Sequence, residues 1–533
     1  MTELNRREFF KAVLGGGALA ASGGVGTLYS GFARAAAPAF DDYKALVVFY
    51  LYGGNDAYNM VIPMGSGTRS YDEYANSRGG IAVANKGLTA DRQGNNPYAA
   101  GGSSDAEKYL GGLYTFDDYV AGLDGYRPET HIGINAMMPE LAQLYRDGRA
   151  ASVVNVGSLV EPVTKNQLGE KKLPPFLFAH NHQTRAMETG WADNLSAMGW
   201  AGRLADLWEA HTASGVNGGS ALGLNVSFGG NSRLMTGRMN APSVLSPSSS
   251  RLFDTRQDRF DADFFRQLNR ELPDDHPLHR VLRSANRRSV DLSNLLSGYY
   301  ADTEGMFGSL QNPYGGDLFS TPDATDLALS RGLSGQALRS FHAVARMIHV
   351  GRNQLGLNRQ IFFVGMGGFD NHTDLASKHP LLLREISLAL NDFTTALDDM
   401  NGGIADEVLV ASLSDFGRTL GNNGDGTDHA WAGCNILLGG GIDGGRVLGE
   451  LPDLRLGGDS DTASNPGRAK GRLIPTTAID QYLATLCDWF GVAENEMAGL
   501  FPNLSAFEAT PGEASSAYLA FNKAQESGLP LSL

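Results

Sequence analysis

Cysteine is nearly absent: the 533-residue chain has two, Cys434 and Cys487. A disulfide-stapled scaffold is thereby excluded. Either one bridge forms in an oxidising compartment or both are buried thiols. Positive charge is also in deficit, with 43 Lys and Arg against 58 Asp and Glu and a formal net charge of −15. A surface of that sign repels polyphosphate backbones, which argues against nucleic acid as a partner. It also slows small anions unless a metal or an arginine reverses the field locally. Beyond the N-terminus no apolar run approaches the ~20 residues of a membrane span, and no repeat occurs at solenoid periods. What is plentiful is glycine, with 68 copies, the residue of tight turns and close backbone approaches. With 42% hydrophobic and 19% charged residues the composition is globular.

The N-terminus departs from the acidic trend. Arg6 and Arg7 precede Phe9, Phe10 and Lys11, a weakly apolar Gly/Ala-rich stretch runs from Val13 to Leu28, and Ala33-Arg34-Ala35 offers an A-x-A cleavage site. This is the layout of a secretory signal. The paired arginines and glycine-diluted apolar region resemble a twin-arginine signal. The expected organisation is a signal over 1–35 and a single domain over 36–533, periplasmic or secreted. No cysteine near the cleavage site is available for a lipid anchor.

Short apolar runs mark strands at Ala45–Tyr52, Ala151–Val156, Gln360–Gly365, Glu407–Leu413 and Asn435–Leu438, with a weaker one at Leu222–Phe228. Their apolar residues are consecutive, as in strands covered on both faces of a parallel sheet. Helical spacing lies between them: Met138–Arg149, the stripe Leu338, Phe341, Ala345 and Ile348, the stripe Leu382, Ile386, Ala389, Phe393 and Leu397, and Thr476–Phe490. The alternation predicts an α/β fold, a doubly wound and mostly parallel sheet sandwiched by helices. Gly65–Arg127 and Asn231–Arg331 are expected as insertions, and Gly457–Gly471 as a loop.

Ligands of open α/β sheets sit beyond the carboxyl ends of the strands. Polar residues cluster there: Asp56 in GGND, Asp370 and His372 in GGFDNH, Asp415 in SDFGRT, and His429 in GTDHA just before a strand. Carboxylate oxygens with imidazole nitrogens suit a divalent cation such as zinc or manganese. Residues two apart in an extended segment point the same way, so Asp370 and His372 are able to share an ion. Asp415 alone would equally be a helix cap.

The segments GGNDAYNMVIP, LFAHNHQTRAMETG, GGFDNHTD, SDFGRT and GTDHAWAGCNILLGGG resemble the bacterial domain-of-unknown-function family 1501, of the alkaline-phosphatase-like clan. The resemblance implies a metal-dependent hydrolase acting on a small anionic phosphate or sulfate ester. It implies metal ligation by Asp56, Asp370, His372, Asp415 and His429. Two positions depart from the pattern. Phe416 stands where the clan has the His of an Asp-His pair. Ala179 stands where related sequences commonly carry Ser, the implied nucleophile. Thr184 is then the nearest hydroxyl, and water activated by a metal is the other route. His180 and His182 become candidate ligands or acid–base groups. Arg418 is either a clamp for an anionic oxygen or a surface salt bridge. Two functions follow: an exported ester hydrolase, or a non-catalytic envelope or extracellular binding protein on the same fold.

Overall fold

The computed structural model describes residues 38–88, 104–116, 131–209, 216–247 apart from 219 and 221, parts of 262–304, and 305–519 apart from 464. The expected signal over 1–35 lies outside the described residues.

Thirteen strands are present among these residues: β1 (Lys44–Leu51), β2 (Val61–Pro63), β3 (Gly87–Leu88), β4 (Leu113–Tyr114), β5 (Ile132–Asn135), β6 (Ala150–Gly157), β7 (Asn225–Ser227), β8 (Ser243–Val244), β9 (Arg359–Met366), β10 (Val408–Ser414), β11 (Gly433–Gly439), β12 (Val447–Leu448) and β13 (Thr477–Ala478). The large sheet has the order β12-β6-β11-β10-β1-β9-β7-β8, with β13 also on β6. Every pairing in it is parallel except those of β11 with β10 and β6. The helices used below are α1 (Tyr71–Arg78), α2 (Pro139–Arg146), α3 (His180–Thr189), α4 (Trp200–Trp208), α5 (Gln336–His349), α6 (Leu375–Asp399) and α7 (Ile479–Phe490).

Alternation along β1 divides the core. Ala45, Val47, Phe49 and Leu51 pack in the cluster that holds α2, α5 and α6. Leu46, Val48 and Tyr50 pack in the one that holds α4 and α7. Successive side chains of a strand point to opposite faces, so an unbroken apolar run is required when both faces are covered. The result is a three-layer α/β sandwich around a mostly parallel sheet. Glu385 of α6 ties one helical layer together. Its carboxylate accepts from the backbone N–H groups of Gly335 and Ala337 at the start of α5, at 3.0 and 2.8 Å, a helix terminus that attracts negative charge.

Register sets the edge that matters. Leu51 at the end of β1 pairs with Met366 of β9 and Ser414 of β10, so three strands finish level. The reversed β11 starts at this same edge, which brings residues preceding it beside residues that follow the other three.

The segment 65–127 is more than a loop: β3 and β4 within it join β2 and β5 in a second sheet, ordered β2-β5-β4-β3. Cys434 and Cys487 are buried free thiols. Among the described residues no helix is long and apolar enough to cross a membrane.

Candidate metal centre

Four segments converge at the level edge. After β1, Gly53 and Gly54 take φ of 118° and 77°, which favour glycine. Space demands glycine as well. A Cβ on Gly53 would lie 2.4 Å from the backbone nitrogen of Asp370, and one on Gly54 2.6 Å from the Phe416 ring. After β9, residues 371–375 are laced to 423–427, with Thr427 N–H donating to the Asn371 carbonyl (3.1 Å) and Leu375 N–H to that of Asp425 (3.1 Å). After β10, the chain pairs antiparallel with the approach to β11: Gly417 N–H donates to the Trp431 carbonyl, and Ala430 N–H to that of Gly417, at 3.0 and 2.9 Å. This hairpin sets Arg418 opposite His429. The fourth segment is the start of α3. It is reached through Phe176 and Phe178, whose φ values of 54° and 72° are unusual for bulky residues and are a form of strain found at functional sites.

The donor atoms of His180, Asp370 and His429 all lie within 4.8 Å of one another, and His372 adjoins two of them. His429 Nε2 lies 3.0 Å from His180 Nε2 and 2.8 Å from His372 Nε2. Asp370 Oδ1 lies 3.1 Å from His372 Nε2, 3.3 Å from His429 Nε2 and 3.5 Å from His180 Nε2. The opposite ring nitrogens fix the tautomers. His180 Nδ1 is 2.7 Å from Asp415 Oδ2, and His429 Nδ1 is 2.8 Å from the Phe178 carbonyl oxygen. Both partners only accept, so both Nδ1 atoms carry a proton, and in the neutral ring both Nε2 atoms keep a lone pair. His372 Nδ1 faces Asp428 Oδ1 at 3.5 Å, the same arrangement at longer range. Lone pairs crowded to this degree repel one another unless a cation lies between them. Donors of a tetrahedral site with ligands at ~2.0–2.1 Å are separated by about 3.3–3.4 Å, which the observed spacing brackets. Each imidazole is backed on its far side by a carbonyl or carboxylate, the support that metal-ligating histidines have.

Beneath the cluster the supports are buried. Asp415 also accepts from the Gly53 N–H at 3.2 Å. Phe416 packs its ring 4.7 Å from those of both His180 and His429. Above it, the side chains of His180, His372 and Asp370 are 33%, 42% and 47% exposed, so solvent reaches the donors. The electrostatics follow. Burial alone would raise the Asp370 carboxyl, but the hydrogen bond and charge of Arg418 bring it below its usual range. The Asp415 hydrogen bond holds His180 above the ordinary histidine value, against burial, whereas burial lowers His429. Asp428 is brought down to about 2, first by its hydrogen bond from Lys470. A proton and a cation compete for the same imidazole lone pair.

Of the residues nominated from the sequence, Asp370, His372 and His429 are brought together, with His180 as a fourth donor. Asp415 stands one hydrogen bond behind His180. Asp56 is not brought to the cluster: its two oxygens accept from Arg78 Nη2 at 2.8 and 2.7 Å, in a fully buried pair. Arg418 is neither a surface salt bridge nor a free clamp. It is buried, and Nη1 donates to Asp370 Oδ1 (2.7 Å) and the Gly53 carbonyl (3.3 Å), Nη2 to the Thr427 carbonyl (2.5 Å), and Nε to Thr427 Oγ1 (3.3 Å). Thr184 lies one turn beyond His180 on α3, half-buried, and His182 stacks on Phe176 at 4.2 Å. Ala179 is the residue immediately before α3. The roles of Arg78, Phe178 and Asp428 carried no signal in the sequence, because each acts through the three-dimensional neighbour it meets.

Fold and site thus define a three-layer α/β protein with a His/Asp cluster at the carboxyl edge of its sheet. Residues 43–466 match the family described as protein of unknown function, DUF1501, and the chain belongs to that family. No curated protein matches it significantly. Among solved structures, one described as "Crystal structure of Ps i-CgsB in complex with k-i-k-neocarrahexaose" is 12% identical. That match covers 70% of this chain and 72% of the other, with a TM-score of 0.24, a likeness on which nothing further is built.

Proposed function

We propose that this protein is a metal-dependent hydrolase of phosphate or sulfate esters, with one divalent ion, zinc or manganese, held by His180, Asp370, His372 and His429. The observation that carries the reading is the meeting of His180, Asp370 and His429, whose donor atoms all lie within 4.8 Å of one another, with His372 Nε2 beside two of them at 2.8 and 3.1 Å and with His180 and His429 hydrogen-bonded through the far ring nitrogen. The resemblance of the motifs holding Asp370, His372 and His429 to those of the alkaline-phosphatase-like clan supports the same reaction class. A bound ion of this kind supplies Lewis acidity and brings the pKa of water to ~7.

The chain's own residues do the rest. Arg418 holds Asp370 ionised and aimed. Asp415 and the Phe178 carbonyl orient His180 and His429, and Phe416 packs against both rings. No hydroxyl is hydrogen-bonded to the cluster among the described residues. Ser414 Oγ, close in sequence, is committed to the Leu51 carbonyl at 2.6 Å and the Asn55 N–H at 2.9 Å. The nucleophile is therefore assigned to water rather than to Thr184 or a serine.

The second reading, a non-catalytic binding protein, is favoured by the number of donors, since four protein ligands are the usual complement of a structural site. Metal content separates the outcomes. The wild-type protein should hold one equivalent of zinc or manganese and hydrolyse p-nitrophenyl phosphate or sulfate, and His429→Ala should lose both. One equivalent of metal without turnover on any ester would leave the binding reading, and no metal after loading would end both metal-based accounts.

A further inference from the structure

Resting on the hydrolase reading above, we propose that Arg472 holds the anionic group of the substrate beside the cluster. An acidic protein that acts on an anion needs a cation with hydrogen-bond donors to spare. The two buried arginines nearby have few or none, and the nearby lysine offers only a point charge. Arg418 is spent on Asp370, Gly53 and Thr427. Arg78 is spent on Asp56, Asn59 and the carbonyls of Thr419 and Leu420. Lys470 is paired with Asp428 at 2.7 Å.

Arg472 differs. Its Nε donates to the His429 carbonyl at 3.2 Å, and its guanidinium carbon sits 4.6 Å from the centre of the Phe178 ring. Those are the two residues whose mutual hydrogen bond aims His429 at the other donors. The side chain is thus anchored at its stem and over its flat face, half-buried, next to the cluster. Neither Nη1 nor Nη2 has a hydrogen-bond or ion-pair partner among the described residues. A guanidinium held by Nε and by an aromatic ring leaves its terminal fork pre-organised, the geometry that takes two oxygens of a tetrahedral oxyanion at once. Lysine offers a point charge without that fork. The ligand class is an oxyanion of phosphate or sulfate type; the structure points to the shared tetrahedral charge and not to one of the two.

The test titrates inorganic phosphate and, separately, inorganic sulfate into the metal-loaded protein by calorimetry, with metal content measured on each sample. Arg472→Gln should keep its metal and bind the preferred oxyanion about ten- to a hundredfold more weakly, the loss expected for hydrogen bonds to a charged group. Arg472→Lys should fall between. KM for p-nitrophenyl phosphate or sulfate should rise in parallel. Oxyanion affinity unchanged in Arg472→Gln, or no oxyanion binding by the wild-type protein, would overturn the proposal. Should Arg472→Gln lose its metal, Arg472→Lys decides: metal kept with weakened oxyanion binding supports the role, and unchanged binding removes it. The metal reading is judged separately, from the stoichiometry of the wild type and His429→Ala.

Discussion

Asp56 and Asp370 both follow a strand, both stand in glycine-rich turns, and both touch an arginine, yet their surroundings differ in kind. Asp56 is buried and gives both oxygens to Arg78. Its charge is cancelled within the fold, and nothing is left for a ligand. Asp370 gives one oxygen to Arg418, and that same oxygen also faces three imidazoles, with the side chain 47% exposed. Its partner leaves an unfinished set of donors. Asp480 makes a third case. It lies fully buried at the start of α7, neither oxygen has a hydrogen-bond partner, and burial pushes its carboxyl up to about 8. One residue type thus appears as a completed ion pair, as an open ligand and as a neutral acid. The difference is which cation the fold sets beside it, and how much water remains.

The sharpest way to break the comparison is to remove the cation from the completed pair. Arg78→Met leaves Asp56 charged and buried, with only the hydrogen bond from Thr427 Oγ1 at 3.4 Å. Breaking a buried pair from one side costs about 3–5 kcal/mol, and here Arg78 also loses its bonds to Asn59 and to two carbonyls. Denaturant unfolding should show that loss. Metal content should stay at the wild-type level, because Asp56 is outside the donor set. A stable Arg78→Met protein that has lost its metal would reverse the assignment and put Asp56 in the site.

Asp480 supplies a pH-dependent effect. Its folded pKa is raised above the unfolded carboxylate value, so the folded state keeps a proton that the unfolded state releases. Its contribution to stability is complete below about pH 4 and is lost as pH rises toward its folded value of about 8. Asp480→Asn cannot ionise and should flatten stability across that window. If unfolding curves of wild type and Asp480→Asn run parallel from pH 4 to 8, the carboxyl is not held neutral.

Much of the framework was legible in the sequence because burial on both faces leaves a plain signature. The runs at Ala45–Tyr52, Gln360–Gly365 and Glu407–Leu413 coincide with β1, β9 and β10 to within a residue or so. Asp370, His372 and His429 were legible for a related reason: they sit next to those runs. The direction of β11 was not, since an apolar run reads the same in both orientations, and only the reversal explains how a residue preceding a strand joins residues that follow others. The small sheet that takes two of its strands from 65–127 was missed because strands of two to four residues carry no period. Arg418 and Asp56 were misplaced for a shared reason. Whether a charged side chain is free or spent depends on which partner the fold sets beside it, near in sequence as Arg78 is to Asp56 or far as Gly53 is from Arg418.

The smallest expected effect tests the water route at Ala179. This residue precedes α3 with φ −109° and ψ 117°, the extended conformation of a helix cap, and has no side-chain hydrogen bond to offer. Its carbonyl already accepts from the N–H groups of His182 and Gln183 at 3.1 and 2.9 Å. In Ala179→Ser the new hydroxyl has an N–H of the first turn within its ordinary reach, and a serine cap is worth about 1 kcal/mol over alanine. The expected outcome is a slightly more stable protein with unchanged metal content and unchanged turnover. On the proposed water route the oxygen is engaged by the helix and no side-chain nucleophile is needed. A rise in ester hydrolysis, or a phosphorylated or sulfated enzyme trapped by acid quench and seen by mass spectrometry, would mean that position 179 faces the reacting group. Covalent catalysis splits one hard step into two, so such a gain would show water to be the substitute for a lost serine and not the route this site was built for.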